Sequence, residues 1–347
     1  MSNTGNKKAL SERNRAIIDL QKSFVKRLRT DISLISKDAQ RALEVFSEDF
    51  TAALVQGGVD QWATTHGKYF TSKALKTTYP VPVSAAGYKK FEGDIKYRSL
   101  YQKSLELIPK TWQDGVSELA SVIEAPDFVG WTSEPDAMAA GAMTLLNSIV
   151  AERLHANPKC WDEQLFFSKQ HPVNVFSTRE GVYSNDFTGP GTHPSHGNLK
   201  LAKQRFRDIK APNGKPLGLR MTHVMVPPSQ EELWRDMLEN DLLIETVIDA
   251  GGRSYGAINN RHKGTVGLIV ADELEDPDEW YPLALGKPGM FPWVCQDQGA
   301  PEEILSDKSS NLYQTSLRIG VAYILRGNAE LAMPHCVQRW AGEDPAK

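Results

Sequence analysis

From Ser11 to Gln56 the chain has no Gly or Pro, and apolar residues return every three or four positions: Ile17, Leu20, Phe24, Leu28, Ile32, Ile35, Ala39, Leu43, Phe46, Phe50 and Leu54. That period predicts one long amphipathic helix or two in line, ended by Gly57-Gly58. Residues 60 to 98 lose the period. Their aromatics (Trp62, Tyr69, Phe70, Tyr79, Tyr88, Phe91, Tyr97) stand among Gly, Pro and Lys, which predicts an extended arm. The stretch 101–126 has strand-like runs around Leu105, Leu107 and Val116, broken by Pro109 and Asp114-Gly115. It suits a two-stranded excursion better than a central strand, because Pro cannot donate to a ladder.

The helical period returns at 133–157. Ser133 is a good N-cap, Pro135 and Asp136 suit a first turn, and Met138, Ala142, Leu145, Ile149 and Val150 make a stripe that Asn157-Pro158 stops. About 22 residues at ~1.5 Å each make a strut of roughly 33 Å. Beyond it, 166–196 is thick with Ser, Thr, Asn, Gly and Pro, and predicts a loop. Residues 198–210 predict a short helix, and "LRMTHVMVPP" predicts a strand. Ser229 with Glu232 reads as the capping box of a helix through "QEELWRDMLEN". Residues 251–263 predict a loop, "GTVGLIVADEL" a strand, and the last stretches long strands.

Charge sharpens this picture at one end. The chain of 347 residues carries a formal net charge of -3. Yet residues 1–30 hold eight basic side chains against Glu12 and Asp19, so this arm is +6 and the remainder -9. Lys22, Lys26, Arg27 and Arg29 are its candidates for contact with a polyanion. The three cysteines, Cys160, Cys295 and Cys336, have no CxxC spacing, which argues against a disulfide framework or structural zinc. No signal peptide or apolar span is expected.

Candidate chemistry is thin. His193 and His196, with His171 nearby, invite a metal reading, but Pro and Gly around them oppose a helix and no HExxH, carboxylate triad or Cys cluster completes a site. There is no P-loop. The acidic run Asp272 to Glu279 lacks EF-hand spacing and reads as a solvated face. The expectation is therefore no catalytic residue, no cofactor and no metal. Leu105, Leu107, Trp112 and Val116 on the excursion, with too little core of their own, are candidates for contact with a neighbouring subunit.

Several local words, in order, resemble the Mu-like phage major head subunit family, gpT: "FF" followed by "HPVN" and "YSNDFTG", then "NGKPLGL", "VMVPPSQEELWRDML", "GTVGLIVADELEDPDEWY" and "IGVAYILRGNAELAM". They run over roughly residues 85–340, while the first 60 or so match poorly. The resemblance implies an α+β, Hong Kong-type tailed-phage major capsid fold. It implies an N-terminal helical and extended arm (1–84) and an extended loop (85–120). A peripheral domain (121–197 and 290–330) would hold the spine helix 133–157, and an axial domain would take 198–289 and 331–347. It also implies that His171, Pro172, Asn174 and Tyr183 to Asn185 form turns in a surface loop. The implied function is a self-assembling major capsid protein, forming hexamers and pentamers of an icosahedral head around double-stranded DNA. Its partners would be itself, scaffold and portal proteins and packaged DNA, with no membrane, in a virion assembled in the bacterial host cytoplasm. A metal-assisted hydrolase built on 171–196, or a scaffold-like head component, is the alternative.

Overall fold

The computed structural model describes residues 2–31, 37–82, 102–125, 128, 130, 131, 133–249 and 252–342, with backbone alone at 2–10, 24, 27–31, 38, 82, 102, 177–180, 243–249 and 252–258. The first elements are α1 (Ser2–Asp31), α2 (Lys37–Gln56), α3 (Trp62–His66), β1 (Lys68–Thr71), β2 (Thr77–Pro82), β3 (Gln102–Leu107), β4 (Lys110–Leu119), α4 (Ala120–Ile123) and α5 (Glu134–Ala156). There follow β5 (His171–Asn174), β6 (Ser177–Tyr183), β7 (Asp186–Thr188), α6 (His196–Asp208), β8 (His223–Val226), α7 (Glu231–Glu239), β9 (Leu242–Asp249) and β10 (Gly252–Asn259). The chain closes with β11 (Gly267–Val270), β12 (Glu279–Leu283), β13 (Trp293–Asp297), β14 (Glu302–Ser306), α8 (Asn311–Ser316), β15 (Arg318–Leu331) and β16 (Arg339–Ala341). These elements form two compact units.

The first unit takes residues 1–78, 106–150 and 294–330. Its sheet runs β1-β13-β15-β14, with β4 also paired to β15. The five predicted α2 positions Ala39, Leu43, Phe46, Phe50 and Leu54 are all buried, and with Ile17 of α1, Met138 and Met143 of α5, and Ile319, Val321 and Tyr323 of β15 they form one core. Ile17 joins that cluster because α1 and α2 pack on each other rather than running in line. Phe50 stacks on Tyr323 at 3.7 Å. α5 begins at Glu134, directly after Ser133; Glu134 and Asp136 occupy its first turn and Arg153 and His155 its last, both favourable to the helix dipole. Its buried face centres on Ala139, Met143, Leu146 and Val150, with Ala142 and Leu145 half-buried.

Two expectations for this unit fail. Trp62 and Tyr69 do not lie on an extended arm: they are 1% and 2% exposed, and β1 pairs in parallel with β13. Their aromatic bulk is core material that no local period advertises. Likewise Asp114-Gly115 does not break a strand. β4 pairs antiparallel with β15 without interruption from Lys110↔Gly327 to Leu119↔Arg318. Gly115 is there for space, since a Cβ on it would sit 2.6 Å from Ala322 Cβ. Residues 85–101 of the expected extended loop, with 83 and 84 of the expected arm, lie outside the described residues.

The second unit takes 79–105, 151–293 and 331–347. Its sheet runs β11-β8-β12-β16-β7, with β8 parallel to β11 and β7 parallel to β16. A row of aromatic rings fills it: Trp234, Trp280 and Trp340 at successive centroid distances of 5.0 Å, then Phe187 at 4.8 Å from Trp340. The division falls after Val150 rather than after residue 197, because β7 is a strand of this sheet. Residues 252–259, expected as loop, are strand β10 paired along its length with β9. Ser229 lies inside a 3-10 turn, Pro228–Gln230, rather than at an N-cap. Gln230 takes over the tethering there: its Nε2 donates to Pro277 O (2.6 Å) and its Oε1 accepts from Trp234 Nε1 (3.1 Å).

Candidate assembly surfaces

On α1, Lys22 and Lys26 are exposed, while the side chains of Arg27 and Arg29 lie outside the described residues. Arg13 belongs to the same basic arm by sequence but not by environment. Its side chain is 8% exposed, and its Nε stands 3.4 Å from Asp297 Oδ2. The Tyr69 hydroxyl donates to that same oxygen at 2.6 Å, and Gly299 N–H donates to Asp297 Oδ1 at 3.2 Å. Burial first, and then the Asp297 carboxylate, push the Tyr69 phenol well up. Arg13 is thus a pin between α1 and the sheet of the first unit. The signal for it was positional: Arg13 stands four residues before Ile17, on the buried face of the helix.

The excursion residues divide. Leu107 is fully buried within the chain, so it has no surface to offer a neighbour, which corrects its assignment as a contact residue. Leu105, Trp112 and Val116 are half-buried. Trp112 Nε1 donates to Gly327 O at 3.2 Å, and Val116 packs on the core of the first unit. The sequence missed a better apolar surface one strand-end away. Leu119, Val122 and Leu317 are 39%, 42% and 59% exposed, and Ala120 N–H donates to Leu317 O, which brings the three together. Nothing local could have flagged them, since Leu317 and Leu119 meet only through the β4–β15 pairing.

His171 is not a turn-former in a surface loop. It is fully buried, with Nδ1 2.6 Å from Asp162 Oδ2 and Nε2 3.1 Å from both Phe166 O and Asn185 Oδ1. The Asn185 amide is oriented by Ser168 N–H on its Oδ1 (2.9 Å) and by its Nδ2 donating to Phe166 O (2.8 Å) and Pro334 O (3.1 Å). Both ring nitrogens of His171 therefore face oxygen acceptors, and the pair is closed on itself. His171 stacks on Tyr183 (5.1 Å), which stacks on His335 (4.6 Å). Burial first, then the neighbouring His171, hold His335 down to about 3. Burial also raises the thiols of Cys160 and Cys336 to about 12, which makes them packed groups rather than nucleophiles.

His193 is half-buried, and His196 opens α6 beneath an N-cap made by Ser195 Oγ accepting from Asn198 N–H. The helix starting at His196 corrects the expectation that Gly and Pro exclude one there. The His196 ring stacks on His262 at 5.5 Å. Among the described residues no three His, Cys, Asp or Glu side chains gather to hold a metal, and no helix is long and apolar enough to cross a membrane.

The structure is similar to a chain from the procapsid of bacteriophage JBD30, with a TM-score of 0.51 at 14% identity, covering 89% of this chain and 77% of that one. It is also similar to a chain from the capsid of the native GTA particle, with a TM-score of 0.52 at 7% identity, covering 82% and 92%. The fold class is that of the phage major capsid proteins, α+β and Hong Kong-type. A search of curated protein sequences finds no match. The family model for the Mu-like prophage major head subunit gpT matches residues 40–197 and 192–274, and the chain belongs to that family. Its function is that of a phage major capsid protein, a structural role and not an enzymatic one.

Proposed function

We propose that this subunit builds hexamers and pentamers of an icosahedral head, assembled in the bacterial cytoplasm with scaffold and portal proteins and then filled with double-stranded DNA. Membership of the head-subunit family over residues 40–274 carries this reading. The exposed apolar group Leu119, Val122 and Leu317 supports it, as a surface whose burial needs another chain. Leu105, Trp112 and Val116 border the outgoing loop and serve its contact with a neighbour. Lys22, Lys26, Arg27 and Arg29 face the polyanion, either the packaged DNA or an acidic scaffold before it. The first unit is the peripheral part and the second the axial part, with 151–197 counted as axial on the strength of the β7–β16 pairing.

Light scattering and negative-stain microscopy of the purified full chain test the reading. Shells, tubes or capsomer rings far above 38.6 kDa are expected. A monomer that persists across salt and concentration overturns it.

A further inference from the structure

The second unit carries two opposed patches of charge that the chain itself does not neutralise. From Lys200 to Arg220 seven lysines and arginines stand against one acid, Asp208. Arg207, Lys215 and Arg220 are exposed, and no carboxylate among the described residues pairs with them. Arg207 and Arg220 face one cleft of about 410 Å³, floored by Pro216, Gly218 and Leu219. The crowding is real enough to shift its members. Burial and then Arg207 lower the Lys203 ammonium, and burial and then Lys203 lower His262. Lys203 Nζ is held by Thr265 Oγ1 (2.7 Å) and His262 Nδ1 (3.3 Å), neither of which carries negative charge. Unneutralised like charges on one face cost stability, so a partner's negative charge would relieve them.

The complementary patch lies on the same unit. Asp272, Glu275, Asp276 and Asp278 are exposed, and none is ion-paired among the described residues. Sheet topology sets the two patches apart. β8 and β11 run parallel, so their N-terminal ends share one end of the sheet. Arg220 leads into β8 there, and His262 and Thr265, the partners of Lys203, lead into β11. The acidic run instead follows the C-terminal end of β11 and precedes β12, so it lies at the other end. A single copy therefore cannot close its acidic run on its own basic face. Two copies set head to tail can.

We propose that the face built by Arg207, Lys215 and Arg220 docks the acidic run 272–278 of a second copy of this chain. The contact is heterologous: each copy offers one patch to the neighbour before it and the other to the neighbour after it, which closes into a ring when the rotation allows. The proposal rests on the shell reading above and adds to it which surfaces meet. DNA is the less favoured occupant of the basic face, because it would leave the acidic run without a partner.

The test is zero-length carbodiimide cross-linking of the full chain, mixing isotopically light and heavy protein, with charge-reversal variants beside it. Cross-links between Lys210 or Lys215 of one copy and a carboxylate of 272–278 in another are expected. Arg207→Glu/Arg220→Glu and Glu275→Lys/Asp276→Lys should each raise the concentration needed for assembly roughly tenfold or more, as opposed like charges do. Combining the two pairs should restore it. Circular dichroism confirms that each variant folds. Wild-type particles that lack the cross-link, or that form equally well from both reversed variants, overturn this contact and leave the shell reading standing. So does a basic-face reversal that loses DNA but assembles normally, which assigns the face to nucleic acid. A wild-type chain that stays monomeric overturns both.

Discussion

In each compact unit a buried carboxylate is held by a basic side chain, Asp297 by Arg13 in the first and Asp162 by His171 in the second, and the two contacts are built on different terms. Asp297 has other donors on both oxygens, Tyr69 Oη on one and Gly299 N–H on the other, so Arg13 adds to a carboxylate already hydrogen-bonded. Asp162 has Gln164 N–H on Oδ1, but on Oδ2 it has His171 alone at 2.6 Å. Arg13 also joins elements far apart in sequence, while His171 closes a short turn only nine residues from its partner. A buried charge is costly mainly when its last partner is removed. The second pair is therefore the more fragile, although it is the more local.

His171→Ala should break the comparison hardest. It strands a buried carboxylate oxygen and should destabilise the second unit by roughly 3–5 kcal/mol in urea unfolding. A loss below about 1 kcal/mol would mean that Asp162 finds water or another donor. Acidification comes next. His335 is held neutral in the folded unit at about 3, against 6.5 for the free group. The unfolded chain thus binds its proton first, so this contribution is full above about pH 6.5 and is lost as pH falls toward 3. Roughly 3 kcal/mol should be gone by pH 4, at 1.36 kcal/mol per unit. His335→Phe should keep the stack on Tyr183 and flatten that part of the pH profile. An unchanged profile would show that other groups set the acid limit.

Arg13→Ala should be milder, about 2 kcal/mol for a charge-assisted contact whose acceptor keeps other donors. Its distinctive effect is local: amide exchange in α1 should quicken while α2 and α5 keep their protection. Uniform loss of protection through the first unit would instead make Arg13 part of the cooperative core. The smallest effect is expected from His193→Ala with His196→Ala. Thermal unfolding should move by no more than about 0.5 kcal/mol, as for other changes at partly exposed sites outside a closed network. A shift comparable to that of His171→Ala would extend the buried network to this loop.

The helices of this chain were legible because each writes its own period. The five buried positions of α2 could be named from spacing alone, and Ser133 and Asn157 bracket α5 within a residue. Strands were legible only where they alternate or end at a marked turn. The β4 stretch looked broken at Asp114-Gly115 because the reason for Gly115, the approach of Ala322, lies about 200 residues away. The polyanion candidates were legible as charge, yet Arg13 had the same charge and an opposite environment. Leu107 read as an exposed contact and is core. A side chain's type is local information, whereas what covers it is not.

By itself, then, the amino-acid order determined the helical elements, the basic arm and the run of family words that led to a capsid subunit. Those are properties of neighbours along the chain, where periodicity, capping and composition act. The tertiary structure alone decided that Trp62 and Tyr69 are core, that β4 is sheet, that His171 is sealed against Asp162 and Asn185, and that Arg220 and Asp276 stand at opposite ends of one sheet. Strand pairing and burial join residues separated by tens to hundreds of positions, and their energies depend on which surface closes over which. Such closure is not encoded in any one segment, because each segment's favourable state exists only once its distant partner is in place.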